Sequence, residues 1–481
     1  MNSLRFLVLL IAVVAHSQQG IGQQRWTLQQ CVERALGSNI SVKQSALNTE
    51  LAEVNQKNAF GNLLPNLNAQ GSHGYNWGQR IDPFTNQFAS ERIRSNSMGI
   101  STAVNLFNGF QAQNGLKQSR IDLAAARFND EKIRNDIALN VASLYLALLM
   151  NKEMEEIARS NAENTANQSK RIRTLVNNGQ LAQNSLDDIE AQVAADQASL
   201  VGAVNNTNLA RLALAQALFL SPAEMQAFDI ESPDASAAET AMLPISSAAA
   251  VQHSLSNFPE VKNAELQVTS ADIATRIALG GQMPSLSASF SYGTGYSGAA
   301  QELVGEPEYL AFPIGIVQTT GDIVLSAQEI YAEDDFQTIS FEEQLTDNVN
   351  KSLFFSLTIP IFNGFGASSA VKRAEINKLN AELTLDQVRQ NLTQSVERAY
   401  ADALAAKSNY DASKLSVQAA ERAFANAERR YEQGAGTQVE YADARTRLDN
   451  ARTSELNSKY DYLFKIRVLE FYEGKAINLN P

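Results

Sequence analysis

The 481-residue chain contains a single cysteine, Cys31, so no disulfide can form within it. It contains three histidines, and the two beyond the extreme N-terminus, His73 and His253, are far apart in sequence. No Cys/His spacing of a metal site accompanies them. There is no Gly-x-Ser-x-Gly elbow and no phosphate-binding loop, and Gly293-x-Gly295 and Gly434-x-Gly436 lack the third glycine of a dinucleotide fingerprint. The chain is therefore expected not to be an enzyme and to need no metal or cofactor. Basic residues are also short: 39 Lys and Arg stand against 52 Asp and Glu, a formal net charge of −13. Such a chain repels phosphate backbones, which argues against nucleic acid as a partner. Beyond the first turns of sequence, no apolar run approaches the roughly 18–20 residues of a spanning helix. The longest, Val141–Met150 and Leu212–Leu220, reach about half that. Any crossing of a bilayer has to be made by strands.

The N-terminus has the pattern of a secretory signal. Arg5 supplies the positive start, Phe6 to Val14 an apolar stretch too short to span, and Ala15-His16-Ser17 the small residues before cleavage. Residues 1–17 are expected to be removed, with the mature chain starting near Gln18. Cys31 lies well past this region and carries no lipid-attachment context.

The rest of the sequence is duplicated. Leu106-Phe107-Asn108-Gly109-Phe110 returns as Ile361-Phe362-Asn363-Gly364-Phe365, an offset of 255 that also carries Tyr145 to Tyr400, Gly179 to Gly434 and Asp188 to Asp443. Upstream, Leu64-Pro65 returns as Met283-Pro284 and Lys43 as Lys262 at an offset of 219, so 36 residues are inserted in the second copy between these marks. The first repeat is read as 18–245 and the second as 246–481, each with the order helix, strand pair, long helical hairpin. Ser221–Ser247, with Pro222, Pro233 and Pro244, reads as the linker between them.

Each copy holds one very long helical stretch. Gln111–Asn178 has no proline and one glycine, Gly115, and its apolar positions Ile133, Ile137, Val141, Leu144 and Leu148 step by three or four. Val388, Leu392, Val396, Ala399 and Ala403 take the same steps in the second copy. Such a stretch is about 100 Å of helix at 1.5 Å per residue, the length of a coiled coil rather than of a globular helix. Gly179 and Gly434 break it, and a second helical pattern follows (Leu186–Leu218 and Val439–Tyr472), so each copy should end in an antiparallel hairpin turning at its glycine.

Each copy also has two stretches of period two. Leu67, Ala69, Gly71, His73, Tyr75 and Trp77 alternate with Asn66 to Asn76; Met98 to Leu106 alternate with small or polar residues. Leu286 to Tyr296 alternate with serines and glycines, and Leu353, Phe355, Leu357, Ile359 and Ile361 alternate from Ser352 to Pro360. About ten residues apolar on one face and polar on the other is the pattern of a transmembrane β-barrel strand. A half-buried strand of a soluble sandwich looks the same when taken singly. Tyr75, Trp77, Tyr292 and Tyr296 near the strand ends are candidates for an aromatic girdle. Four strands cannot close a barrel, and an open edge cannot face lipid; a dimer would supply eight strands and a trimer twelve. Pro65 and Pro284 mark helix-to-strand switches, and Asn108 and Asn363 are candidate caps at the return to helix. The connections between paired strands, about Gly78–Asn96 and the long acidic Ser297–Asn350, read as loops.

With these marks assembled, the chain resembles the TolC family of outer-membrane efflux proteins. The resemblance rests on the signal, the duplicated Leu-Pro/Met-Pro and Phe-Asn-Gly marks and the segment Arg430-Tyr431-Glu432-Gln433-Gly434. It implies a mainly α fold with transmembrane β: a homotrimer whose twelve-stranded β-barrel in outer-membrane lipid continues as a periplasmic α-helical tunnel. It also implies a passive exit duct of a tripartite efflux or type I secretion system. The partners would be a periplasmic adaptor docking at the hairpin turns and an inner-membrane pump of resistance-nodulation-division or ABC type. The cargo would be drugs, toxic compounds or metals. Aligned on Gly434, Tyr431 takes the place of the family's gate tyrosine, and Glu440 and Asp443 those of its acidic ring, to which Asp188 could add. From spacing alone these are a solvated helix face; the ring is what the resemblance implies. Two positions depart from the family pattern: the gate arginine is Gly436 here, and its acidic partner is Ser185. The competing reading is a soluble periplasmic coiled-coil scaffold, against which the four alternating stretches speak.

Overall fold

The computed structural model describes residues 25–86, 88–89, 92–231, 247–331 and 336–475. The signal segment, residues 232–246 of the Ser221–Ser247 linker and the Glu333-Asp334-Asp335 run lie outside the described residues. The first half runs β1 (Arg25–Trp26), α1 (Leu28–Ser38), α2 (Ile40–Gly61), β2 (Asn66–Asn76), β3 (Arg80–Ile81), β4 (Phe88–Ala89), β5 (Ile93–Asn108), α3 (Gln111–Asn177), α4 (Gln183–Ala217), α5 (Pro222–Ala227) and β6 (Asp229–Ile230). The second runs α6 (Ala248–Asn257), α7 (Pro259–Gly280), β7 (Ser285–Ser297), β8 (Gln301–Leu303), β9 (Glu308–Ile316), β10 (Ile323–Ile330), β11 (Phe336–Thr338), α8 (Phe341–Asp347), β12 (Asn350–Thr358), α9 (Gly366–Glu432) and α10 (Gln438–Tyr472). The long elements match in pairs: α2 and α7 have 22 residues, α3 and α9 have 67, and α4 and α10 have 35. By contacts the chain divides into a helical unit (Met1–Val54, Arg120–Ser270, Lys378–Pro481) and a sheet-bearing unit (Asn55–Ser119, Ala271–Asn377), each drawn from both halves.

In the helical unit the packing follows a repeat of seven. The buried positions of α9 are Leu392, Val396, Ala399, Ala403, Ala406, Tyr410, Ser413 and Val417, spaced alternately by four and three. A spacing that averages 3.5 keeps one seam facing the partner helix over the whole length, which a straight 3.6-residue helix cannot do. Alanines and serines on the seam bring the helices close, and the Ser413 and Ser458 hydroxyls meet at 2.6 Å across it. The largest core gathers Leu28 and Cys31 of α1, Val141, Tyr145, Leu148 and Leu149 of α3, Leu214 of α4 and Leu463 of α10. Tyr145 is the pin of this core. Its hydroxyl donates to the Glu231 carbonyl at 2.6 Å and lies 3.2 Å from that of Trp26, holding the parallel pair β1–β6 against α3. α3 also carries a window of mean hydropathy 1.2, apolar enough by length and composition to cross a membrane. Its Val141, Leu148 and Leu149 are instead buried in the chain's own core.

The sheet-bearing unit is built on one four-stranded antiparallel sheet in the order β12-β7-β5-β2. Its register places Leu67, Ile100, Tyr292, Phe290, Leu353, Phe355 and Leu357 on one face, and Asn66, Asn68, Ser101, Ser289, Ser291, Ser352 and Ser356 on the other. The apolar face is exposed: Leu353, Phe355 and Leu357 each leave about 60% of their surface uncovered. Both outer strands, β2 and β12, have one neighbour only. At the strand-to-helix returns the Asn108 and Asn363 side chains accept from the Ala112 and Ala367 N–H groups, as their cap role required. Phe110 and Phe365 follow in left-handed conformation (φ 62° and 64°). Each ring packs edge-on against a phenylalanine three residues back, Phe107 and Phe362, which holds the reversal in place.

Two expectations are corrected. β12 stops at Thr358, because Pro360 has no N–H for the ladder. Ser297–Asn350 is not a plain loop but contains β8–β11 and α8. Its root is locked: the Gln344 side chain accepts from the Ser297 N–H and donates to the Ser297 and Ile339 carbonyls, and the Ser297 hydroxyl donates to Asp82 at 2.6 Å. Leu148→Ala should lower the stability of the detergent-extracted protein by about 2–5 kcal/mol. Val439→Ala, at an exposed position, should change it by less than about 0.5 kcal/mol. Denaturant midpoints of the two variants test this contrast.

Candidate functional site

The two hairpin turns are built identically. Gly179 and Gly434 both have φ 71°, which only glycine adopts without strain. In each, the glycine N–H reaches back to the third residue before it (Val176, Tyr431) and the next N–H to the fifth before that residue (Leu175, Arg430), a Schellman closure. The following helix of the second hairpin starts with a capping box, Thr437 with Glu440. Gly436 is pressed against the chain: a Cβ there would lie 3.2 Å from the Arg430 Cβ and from the Tyr431 nitrogen. A side chain at 436 would require Arg430 or Tyr431 to shift by a few tenths of an ångström.

Tyr431, on the last turn of α9, packs at 5.2 Å against Tyr441 of α10 with the rings tilted by 32°, and Tyr441 in turn meets Phe424 at 5.5 Å. Burial raises the pKa of both tyrosines above the ordinary value, so both are neutral phenols. The Tyr441 hydroxyl lies 3.3 Å from Gln168 of α3, tying the second hairpin to the first. Together with Arg171, Leu175 and Leu181 these rings line a cavity of about 890 Å3.

The carboxylates expected to form a ring have neighbours within the subunit. Glu440 is held by its capping box and by Arg430 at 3.3 Å. Asp443 pairs with Arg447 at 2.6 Å. Asp188 is exposed on α4. A cross-hairpin contact not foreseen from the sequence lies one helical turn deeper. Arg445 of α10 donates to the Asn161 carbonyl at 3.1 Å and reaches Asp196 of α4 at 3.4 Å and Asp449 at 3.7 Å. Asp196 also accepts from Thr165 and Gln192. Arg445 and Asp196 are only 11% and 14% exposed. The signal was present: Tyr441, Arg445 and Leu448 step by four and three, which puts an arginine on the apolar stripe. The capping box Thr437-x-x-Glu440 was legible in the same way.

At the sheet, Tyr75 and Tyr292 are about 40% exposed and Trp77 more so. Arg92 lies over the Tyr75 ring and Lys351 over that of Tyr292. Tyr296 differs: it is 7% exposed, covered by Phe341 of α8 and by the Arg94 guanidinium 4.6 Å above its ring.

The family model of outer membrane efflux proteins matches residues 31–218 and 250–472. Outer membrane protein TolC of Escherichia coli (strain K12) is 32% identical over 108 residues, so the match spans about a fifth of the length of that relative. Among solved structures, the channel-forming CusC superposes with a TM-score of 0.72 at 16% identity, covering 93% of this chain and 92% of its own. The outer membrane protein VceC of Vibrio cholerae gives 0.69 at 15% identity, covering 94% and 96%. At these identities the likeness establishes the fold.

Burial is the main influence on Asp449 and raises its pKa above the ordinary value, with Arg445, the Asn161 side chain and Arg452 pulling it back and Asp196 adding to the rise. The folded state therefore holds this proton more tightly than the unfolded chain does. Stability from this group is lost as pH rises from the ordinary carboxylate value through the raised one. Asp449→Asn should accordingly be more stable than the parent at neutral pH, and the difference should vanish in acid. Arg445→Met leaves both carboxylates half-buried without their cation. It should lose stability approaching the roughly 3–5 kcal/mol of a broken buried pair. Thermal melting across pH checks both.

Proposed function

The chain belongs to the outer membrane efflux protein family, and from that premise we propose that it is one subunit of an outer-membrane exit duct. Three subunits would join their four-stranded sheets edge to edge into a twelve-stranded barrel, with the paired helical hairpins forming a tunnel through the periplasm. The duct is passive: cargo is handed to it by an inner-membrane pump of resistance-nodulation-division or ABC type through an adaptor that docks at the Gly179 and Gly434 turns. Drugs, toxic compounds and metals are the cargo class. The chain arose by tandem duplication, with the repeats 18–245 and 246–481.

The observation that carries this reading is the sheet itself. It has an exposed apolar face, a serine- and asparagine-rich face, and two strands whose outer edges are unpaired. Hydrocarbon suits the first, an aqueous lumen the second, and only a neighbouring strand the third. Tyr75, Trp77 and Tyr292 suit the girdle at the membrane boundary, where ring and basic partner face lipid and headgroup respectively. Tyr296 belongs to the buried root of the insertion instead.

At the periplasmic end, the ring cluster Phe424–Tyr441–Tyr431 and the Arg445 clamp take the part that an arginine-based lock plays elsewhere in the family. Glu440, Asp443 and Asp188 form the acidic surround of the entrance, moderated by Arg430 and Arg447. Tyr431→Ala should raise single-channel conductance; an unchanged small conductance would remove Tyr431 from the gate. Phe355→Arg on the apolar face should oppose insertion by about 2–4 kcal/mol at mid-bilayer depth and abolish outer-membrane assembly. Ser356→Arg on the opposite face should assemble normally and shift ion selectivity toward anions. Equal tolerance of both in membrane fractionation would contradict the assignment of faces.

A further inference from the structure

The insertion in the second repeat holds an unaccounted-for surface. β9 and β10 pair as an antiparallel hairpin from Glu308 to Ile330, and every residue of both strands is exposed. Ten large apolar side chains lie on it or its turn, with Ile314 and Ile316 near 70% exposed. They concentrate toward the far end (Phe312, Ile314, Ile316, Ile323, Val324, Leu325), while Glu308 and Glu329 stand at the near end. The register divides them between two faces, Ile316, Ile323 and Leu325 on one and Phe312 and Val324 on the other, so both faces of the hairpin are apolar. An isolated two-stranded hairpin is also barely stable in water.

Two kinds of surroundings fail to satisfy it. Water does not suit the side chains. Hydrocarbon does not suit the backbone, because both strands have one neighbour only and their outer N–H and C=O groups would be unpaired in lipid. Protein strands satisfy both. The root fixes where such strands come from: the insertion leaves the sheet at Ser297, is held there by Gln344 and Asp82, and returns as β12, whose outer edge is open. In the assembly proposed above, β12 is the seam with the next subunit, so each hairpin rises beside a seam on the same rim.

We propose that the β9–β10 hairpins of neighbouring subunits pack on one another, the face with Ile316, Ile323 and Leu325 against one neighbour and the face with Phe312 and Val324 against the other, forming an apolar collar on the loop-bearing rim of the barrel. This rests on the trimer reading. The collar adds an inter-subunit contact remote from the tunnel and narrows the mouth that is not served by the adaptor.

Cys31 is buried and the only cysteine, so an introduced thiol is the sole accessible one. Ile316→Cys in outer-membrane fragments, treated with a short bis-maleimide and run on a denaturing gel, should move monomer into a dimer band. The size of the untreated protein in detergent is measured alongside. A trimer whose Ile316→Cys chains stay monomeric after treatment would overturn the collar and leave the trimer standing. Labelling of the same thiol by a maleimide dissolved in the bilayer would overturn it in favour of lipid. A protein that is not a trimer in detergent would instead remove the assembly on which the collar rests.

Discussion

The unpaired backbone edges of β2 and β12 are the constraint on which the rest depends. A sheet of four strands with an apolar outer face is useless in water and incomplete in lipid, since each open edge carries a row of donors and acceptors that hydrocarbon cannot meet. Everything else about the chain is compatible with that sheet being one sector of a closed barrel. The serines at 285, 287, 289 and 291 share one face, and the basic residues Arg92 and Lys351 sit over the Tyr75 and Tyr292 rings of the other. The second long helix carries a seven-residue repeat from Leu392 to Val417 that keeps one seam against its partner helix.

The helical part solves a different problem. The seam of the second 67-residue helix is buried from Leu392 to Val417, and small residues stand on it beside the large ones. Ala403, Ala406 and Ser413 let helices approach closely, while bulk is kept for places where segments converge, such as Tyr145 under β1 and β6. At the turns the same economy of size matters in reverse. Gly436 is packed close against Arg430 and Tyr431, and polar contacts one helical turn deeper, around Arg445, join the hairpins.

Much of the fold was legible in the sequence because its periods are long and repeated. The duplication, the helix breaks at Gly179 and Gly434, the four alternating stretches and the asparagine caps all follow from residue spacing. What was not legible depended on packing in three dimensions. Tyr296 reads as a girdle residue by its alternation, yet α8 folds over it; nothing local to Tyr296 announces Phe341. The segment Ser297–Asn350 reads as loop because its strands are short or apolar on both faces, which erases the period-two signal on which strands are recognised. At the candidate site, Tyr431 and Glu440 were found by alignment on Gly434, but the neutralising roles of Arg430 and Arg447 were not. The Arg445 clamp was missed although an arginine on an apolar stripe is a visible irregularity.

The composite barrel is the central claim, and the native mass of the protein extracted from outer membranes tests it most directly. A particle of three chains that precipitates when detergent is withdrawn is the result expected of sheets that complete one another in lipid. A monomer or dimer that stays soluble without detergent would contradict it, and the apolar face of the sheet would then need a different cover.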